Sequence, residues 1–368
     1  MTESSQTAPL PPPVKPKPTL RSRILVPIGA LLLAAIIVEI LVRVVPFYPA
    51  SFITGDPVLG WRYAANASGT WFNVGCPREF TNTVVINSQG WHDIEHAPEP
   101  PREADRVVIL GDSLVGALEV PVEQSFWRLM QQGFDAAGQS VEVRALGVTG
   151  YGTAQSWLNY QQYGEPLRPR AVILVFTPHN DFYDNHPAFD GLAVDWFYTR
   201  PYFTLNEDEE LVAIPSQAAS MPPVHRLLLQ NSALYRLLSV RLRNFMPPVT
   251  IGGDDAVAAR DESWRITFAL VAALRDTVEA LGAQFGVVID QSAIATLPER
   301  RTMHDLILES LGARDINVLS LLDSFEAAQA TGTPVRYSCD SHWTPAGHVL
   351  AAEQTIPFVQ GLLAAPES

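Results

Sequence analysis

The chain has 368 residues, of which 47% are hydrophobic and 17% charged, enough for a sizeable core in one large domain or two smaller ones. Its formal net charge is −14 and no basic stripe lies beyond the N-terminus, which argues against nucleic-acid binding. Two cysteines, Cys76 and Cys339, exclude zinc spacings of the C-x-x-C kind.

Residues 1–23 are rich in Pro, Ser and Thr and carry Lys15, Lys17, Arg21 and Arg23, the composition of a disordered basic tail. Ile24–Val42 follows, 19 residues with Glu39 as the one charge. As a helix it is about 28 Å long, against about 30 Å of bilayer hydrocarbon. A buried core helix and a cleaved signal peptide are the alternatives. The length, the basic flank and the lack of a small-x-small cleavage site favour an uncleaved transmembrane signal anchor over residues 24–45. The basic residues before it place the tail in the cytoplasm and the rest of the chain outside it. Glu39 and Arg43, four apart, pair on one helical face or snorkel to the interface. Outside the cytoplasm a Cys76–Cys339 disulfide is permitted; two separate buried thiols are the alternative.

Residues 46–105 alternate short β-rich runs, such as Thr83–Asn87, with turn residues, and predict a small hairpin region packed on the main domain. Pro98–Arg102 reads as a linker. Strands and helices then alternate. Strands are predicted at 106–110, 141–145, 171–177, 284–290 and 316–319. Helices are predicted at 123–137, 153–163, 264–281, 299–311, 321–330 and 346–363. Five such strands imply a doubly wound, flavodoxin-like parallel sheet in a three-layer α/β/α sandwich. Residues 182–262 are too long for a plain loop. They open with Phe182, Tyr183, Phe189, Trp196, Phe197, Tyr198, Tyr202 and Phe203, which serve either as a lid over a sugar or acyl chain or as ordinary packing. Leu227–Leu242 reads as an amphipathic helix with Arg236, Arg241 and Arg243 nearby, lying on the sheet or on the membrane surface.

Four motifs stand at strand ends, where open α/β sheets bind ligands. The first apolar run stops at Gly111-Asp112-Ser113-Leu114 and puts a Ser in place to be a nucleophile. After the second strand, Gly147-Val148-Thr149-Gly150-Tyr151-Gly152 opens a helix. It offers backbone N–H groups to an oxyanion, or is a tight turn. It lacks the dinucleotide fingerprint and the Walker lysine. After the third strand come Asn180 and Asp181, turn formers unless Asn180 aims its amide at a developing oxyanion. Before the last helix, Asp340-Ser341-His342-Trp343 sets a carboxylate two residues ahead of an imidazole that it can orient. Asp340, His342 and His348 as zinc ligands are the other reading of that segment.

These blocks, in this order over residues 107–345, resemble those of the SGNH hydrolase superfamily, also called GDSL esterases. Two departures stand out: Pro178 occupies the place of a Gly in the third block, and the acid lies two rather than three residues before His342. The anchor, the Asn87-Ser88-Gln89-Gly90 segment and the Asp-x-His-Trp ending are similar to the bacterial membrane-anchored branch linked to envelope polysaccharides. The resemblance implies an SGNH-like domain over residues 106–368, interrupted by the 182–262 insertion. It implies a Ser113–His342–Asp340 triad and an oxyanion hole formed by Ser113, Gly150 and Asn180. No cofactor is implied, and Asp112 is left a structural role in its turn. The expected activity is esterase or O-acyltransferase on glycan acyl esters, from the periplasmic side of the inner membrane and beside polysaccharide biosynthesis or export proteins. A non-catalytic glycan-binding or scaffold protein with the same fold is the alternative.

Overall fold

The computed structural model describes residues 20–365 apart from 45–48, 74–77, 98–103, 193–199, 215–223, 225–226, 229–230, 244–253 and 291–296. Most of the basic tail, Cys76, the Pro98–Arg102 linker and Trp196, Phe197 and Tyr198 lie outside the described residues.

Helix α1 (Leu20–Val44) comes first. Its Arg23–Val44 portion is long and apolar enough to cross a membrane, and none of its most apolar stretch is buried in the protein. Two antiparallel hairpins follow, β1 (Ile53–Asp56) with β2 (Gly60–Tyr63) and β3 (Ser68–Phe72) with β4 (Thr81–Val85). Then come β5 (Asp105–Leu110), α2 (Ser113–Gly116), α3 (Phe126–Ala136), β6 (Val141–Ala145), α4 (Thr153–Asn159), β7 (Ala171–Phe176) and α5 (Pro178–Asp184). The hairpin of β8 (Tyr202–Leu205) and β9 (Leu211–Ile214) precedes α6 (Ala233–Arg243) and α7 (Asp254–Glu279). The chain closes with β10 (Gln284–Ile289), α8 (Leu297–Gly312), β11 (Asn317–Ser320), α9 (Leu322–Ala330) and α10 (Pro345–Ala364).

The main sheet has the order β11-β10-β7-β5-β6, and every neighbouring pair in it is parallel. This is the α/β/α architecture expected from the strand–helix alternation. Its central strands read as continuous apolar runs because both faces are covered. Val108 and Leu110 join one core with Val172, Leu174, Val287 and Phe268 of α7. Val107 and Ile109 join the other with Val143, Ile173, Phe126 of α3 and Val359 of α10. The first core also takes in Trp61, Tyr63 and Trp91 from the N-terminal hairpin region.

Several element boundaries differ from the sequence reading. Between residues 178 and 262, where the sequence predicts a helix only at Leu227–Leu242, the structure forms α5, the β8–β9 hairpin, α6 within and just past that stretch, and the start of α7. Helix α7 begins ten residues early because its first turns are exposed on nearly every side, so no apolar period marks them. The helix from Thr153 stops at Asn159 and passes into a π turn over Tyr160–Gly164. Helix α3 starts at Phe126, after a 3-10 turn at Val122–Gln124.

Candidate active site

The site forms at the carboxyl ends of β5, β6 and β7. Strand β5 ends at Leu110, and Gly111 turns the chain at φ +155°, where a Cβ would lie 2.7 Å from Val115 Cγ2 and 3.0 Å from the Val175 carbonyl oxygen. Asp112 then caps α2: its Oδ1 accepts the Leu114 N–H at 2.9 Å. Ser113 is the first residue of that helix, buried, with a backbone N–H that has no acceptor within the helix.

His342 reaches Ser113 from the segment before α10. Its Nε2 lies 2.7 Å from Ser113 Oγ. Its Nδ1 hydrogen-bonds Asp340 Oδ1, which also accepts the His342 backbone N–H at 3.1 Å. Ser113, 229 residues from His342 in sequence, thus forms one continuous hydrogen-bonded chain with His342 and Asp340. The segment carrying Asp340 is itself held by Glu79, whose carboxylate accepts the backbone N–H groups of Ser338, Cys339 and Asp340 at 2.8, 2.9 and 3.2 Å. Cys339 is disulfide-bonded; its expected partner Cys76 lies outside the described residues.

A second carboxyl faces the same imidazole nitrogen. Glu119 Oε1 is 3.7 Å from His342 Nδ1 and accepts the Trp71 indole N–H at 3.1 Å. Sequence reasoning missed Glu119, Glu79 and Trp71. None belongs to a recognisable motif, and each acts through a contact with residues distant in sequence. Glu119 comes round to the site because Ala117 takes a left-handed conformation at φ 47°. Asn82 then fixes the turn by donating to the Leu118 and Val120 carbonyls at 2.9 and 2.7 Å.

The electrostatics follow from this crowding. Burial opposes a charge on His342, but Glu119 and Asp340 outweigh it and push its pKa up to about 9. Asp340 feels burial too, yet its bond to His342 holds it below the ordinary carboxylate range. Burial raises Glu119 and Asp112.

The other two motifs converge on the same end of the sheet. Asn180 Nδ2 donates to Asp112 Oδ2 at 2.7 Å, which ties the third block beside the residue preceding Ser113 and leaves the amide a second N–H. Pro178 is the first residue of α5, a place where its missing N–H costs nothing. The helix therefore starts directly at the strand end and carries Asn180 in its first turn. Asp181 anchors that turn by accepting the Thr153 hydroxyl at 2.7 Å and the Thr177 N–H at 2.8 Å. Gly150 adopts φ +79°, and its carbonyl accepts Arg200 Nη1 at 2.5 Å. Arg200 in turn pairs with Asp184 at 3.1 Å and lies over the Trp61 ring. The loop is clamped from the N-terminal hairpin as well. Trp61 Nε1 donates to the Thr149 carbonyl at 3.1 Å, Tyr63 Oη accepts the Thr149 N–H at 3.0 Å, and Tyr151 donates to the Trp61 carbonyl at 2.6 Å.

The metal arrangement of Asp340, His342 and His348 is not assembled. His348 is buried between Phe126 and Trp343, its Nδ1 accepts the Phe126 N–H at 3.2 Å, and burial pulls its pKa down to about 3. No group of three or more metal-ligating side chains occurs among the described residues. What the assembled groups can do is activate a serine: a hydroxyl on an imidazole, an imidazole on a carboxylate, and N–H donors beside both.

No family model and no curated protein matches the chain. Among solved structures, TesA is similar at 12% identity and a TM-score of 0.40, over 70% of this chain and 99% of its own. The psychrotrophic esterase EstA from Pseudoalteromonas sp. is similar at 12% identity and a TM-score of 0.40, over 71% of this chain and 100% of its own. The acetyl xylan esterase AlAXEase is similar at 12% identity and a TM-score of 0.40, over 69% of this chain and 99% of its own.

Proposed function

We propose that this chain is a serine esterase or O-acyltransferase of the SGNH type, held to a membrane by residues 24–45 with its catalytic domain on the extracytoplasmic side. Its substrates are acyl esters, acetyl esters foremost, of envelope or exopolysaccharide glycans. The observation that carries the reading is the 2.7 Å contact between Ser113 Oγ and His342 Nε2, with Asp340 on the far nitrogen of the same ring. The order of the four blocks along the chain adds to it.

In this mechanism Ser113 attacks the ester carbonyl and His342 takes the hydroxyl proton. The proton then passes to the departing alcohol, leaving an acyl-serine. Water or a glycan hydroxyl gives its proton to His342 and attacks the acyl-serine; His342 then returns that proton to Ser113 Oγ as the acid or the transferred ester leaves. Asp340 holds the ring in the tautomer whose Nε2 accepts, and steadies the imidazolium. The backbone N–H groups of Ser113 and Gly150 and the free N–H of Asn180 stabilise the tetrahedral oxyanion, each by about 3 kcal/mol in the transition state. Asp112 aims Asn180 through their hydrogen bond. The chemistry draws on no cofactor.

The test is covalent labelling of the full-length chain in membranes with a fluorophosphonate, the adduct being mapped by mass spectrometry. Labelling at Ser113 that disappears in Ser113→Ala is the expected result. A folded protein that takes no label overturns the reading in favour of a non-catalytic glycan-binding protein.

A further inference from the structure

Residues 211–253 contain no Asp or Glu, although the chain holds 39 of them, and they carry Arg226, Arg236, Arg241 and Arg243. The same stretch leaves large apolar side chains in the open: Val224 is 67%, Leu227 60% and Leu238 49% exposed. An apolar, purely basic segment in an otherwise acidic chain calls for a partner that is oily and negatively charged. Among the described residues, nothing from α6 enters the apolar cores that cover the sheet.

What α6 does pack against is α1. Glu39 lies five residues before the end of α1, about 7.5 Å short of it along the axis. Its carboxylate caps the N-terminus of α6, accepting the Ala233 and Leu234 N–H groups at 2.9 Å each and the Ser232 hydroxyl at 2.8 Å. Arg43 closes the arrangement, donating to Glu39 at 2.6 Å and to the Asn231 carbonyl at 2.5 Å. The single acidic group of a membrane-length helix is thus spent on fixing a second helix near its outer end. A carboxylate so placed is costly unless it is partnered, and here every donor but Arg43 comes from the α6 side.

We propose that α6 is an in-plane helix seated on the extracytoplasmic surface of the bilayer. Its exposed Leu238 enters the lipid, the basic, acid-free composition of the segment favours anionic headgroups, and Glu39 sets its depth. This rests on the reading of α1 as a membrane-crossing helix. Apolar area and basic charge favour such a surface together, and lipid follows directly from the exposed apolar flank of α1 beside it. The consequence is that the catalytic domain does not swing freely on its anchor. It is held at the membrane at two points, α1 and α6.

The test uses the full-length chain in vesicles of phosphatidylcholine and phosphatidylglycerol, with one nitroxide at a time on a cysteine introduced at Leu238, at Leu33 of α1 or at exposed Val349 of α10. Accessibility to oxygen and to a nickel chelate reports lipid or water. The expected result is a several-fold higher oxygen-to-nickel ratio at 238 than at 349, with 33 also in lipid. Lipid at 33 but water at 238 overturns the inference and leaves the anchor standing. Water at 33 removes the anchor, and the inference with it. A second measurement guards against a chance contact: Glu39→Ala is expected to lower the ratio at 238 while leaving that at 33 unchanged. An unaltered ratio at 238 would show that Glu39 does not set its depth.

Discussion

Two carboxyls address one nitrogen of His342, with Asp340 bonded to Nδ1 and Glu119 3.7 Å from it. A general base must be neutral to accept a proton, and with a pKa of about 9 the imidazole is mostly protonated at neutral pH. Activity on a small ester is therefore expected to climb through the alkaline range, with the acid limb of kcat/KM near pH 9. Glu119→Gln removes one of the charges that raise the pKa, and should move that limb to lower pH while Ser113 stays labelable. An unmoved limb would exclude Glu119 from the titration. Asp340→Asn leaves the ring without its acceptor, and a fall in kcat of about 10⁴-fold is expected. Stability follows the same sign. A histidine whose folded pKa lies above its ordinary 6.5 contributes stability that is complete below that value and lost as pH rises through about 9. Thermal melts should show Tm falling over that window in the wild type and falling less in Glu119→Gln. Ser113 and Asn180 were legible in the sequence because each sits in a short motif at a strand end, and Asp340 and His342 because they share a short motif ahead of the last helix. Glu119 was not, because a lone Glu gains meaning only from the imidazole that tertiary structure brings to it.

At the scale of elements, the two N-terminal hairpins act as braces for the site. The β1–β2 hairpin grips the Thr149–Tyr151 loop through Trp61 and Tyr63. The β3–β4 hairpin grips the Glu119 turn through Trp71 and Asn82. Glu79, between β3 and β4, grips the segment of Asp340. Asn82 is the cleanest probe, since its amide alone serves two carbonyls. Asn82→Ala should cost about 2 kcal/mol by leaving buried carbonyls without donors, measured by urea denaturation. It should also lower kcat more than it raises KM, because the turn it frees carries Glu119. A variant with full activity would reduce β3–β4 to packing. The sequence marked this region as β-rich hairpins but not as part of the site. A hairpin's alternation reports which face is buried and not what the buried face touches. The sheet was legible for the opposite reason, since strands covered on both faces leave an unbroken apolar signature. The first turns of α7, largely exposed apart from Ala259 and Ser263, left none.

For the whole molecule, the same contacts decide whether the N-terminal region is a domain of its own. Trp61, Tyr63 and Trp91 are buried in one apolar core with Val108, Leu110, Val172 and Leu174 of the central sheet. A second tie is ionic. Glu142 on edge strand β6 binds Arg106 of β5 and Arg144 at 2.7 and 2.8 Å, and Arg144 reaches the Ala97 carbonyl at 3.0 Å. Several charges sharing one partly buried acid hold Glu142 at about 2, despite the burial that opposes it. Separating the hairpins from the sheet would expose the indoles and strand these charges together, so neither part has a stable boundary without the other. Unfolding of the region after α1 is therefore expected to be a single transition. Amide exchange followed by mass spectrometry should show β2, β4 and β5 losing protection at the same denaturant concentration, together with the loss of fluorophosphonate labelling at Ser113. If β2 and β4 opened first while β5 stayed protected, the hairpins would be a separable module, and labelling at the intermediate concentration would then show whether the site needs its braces.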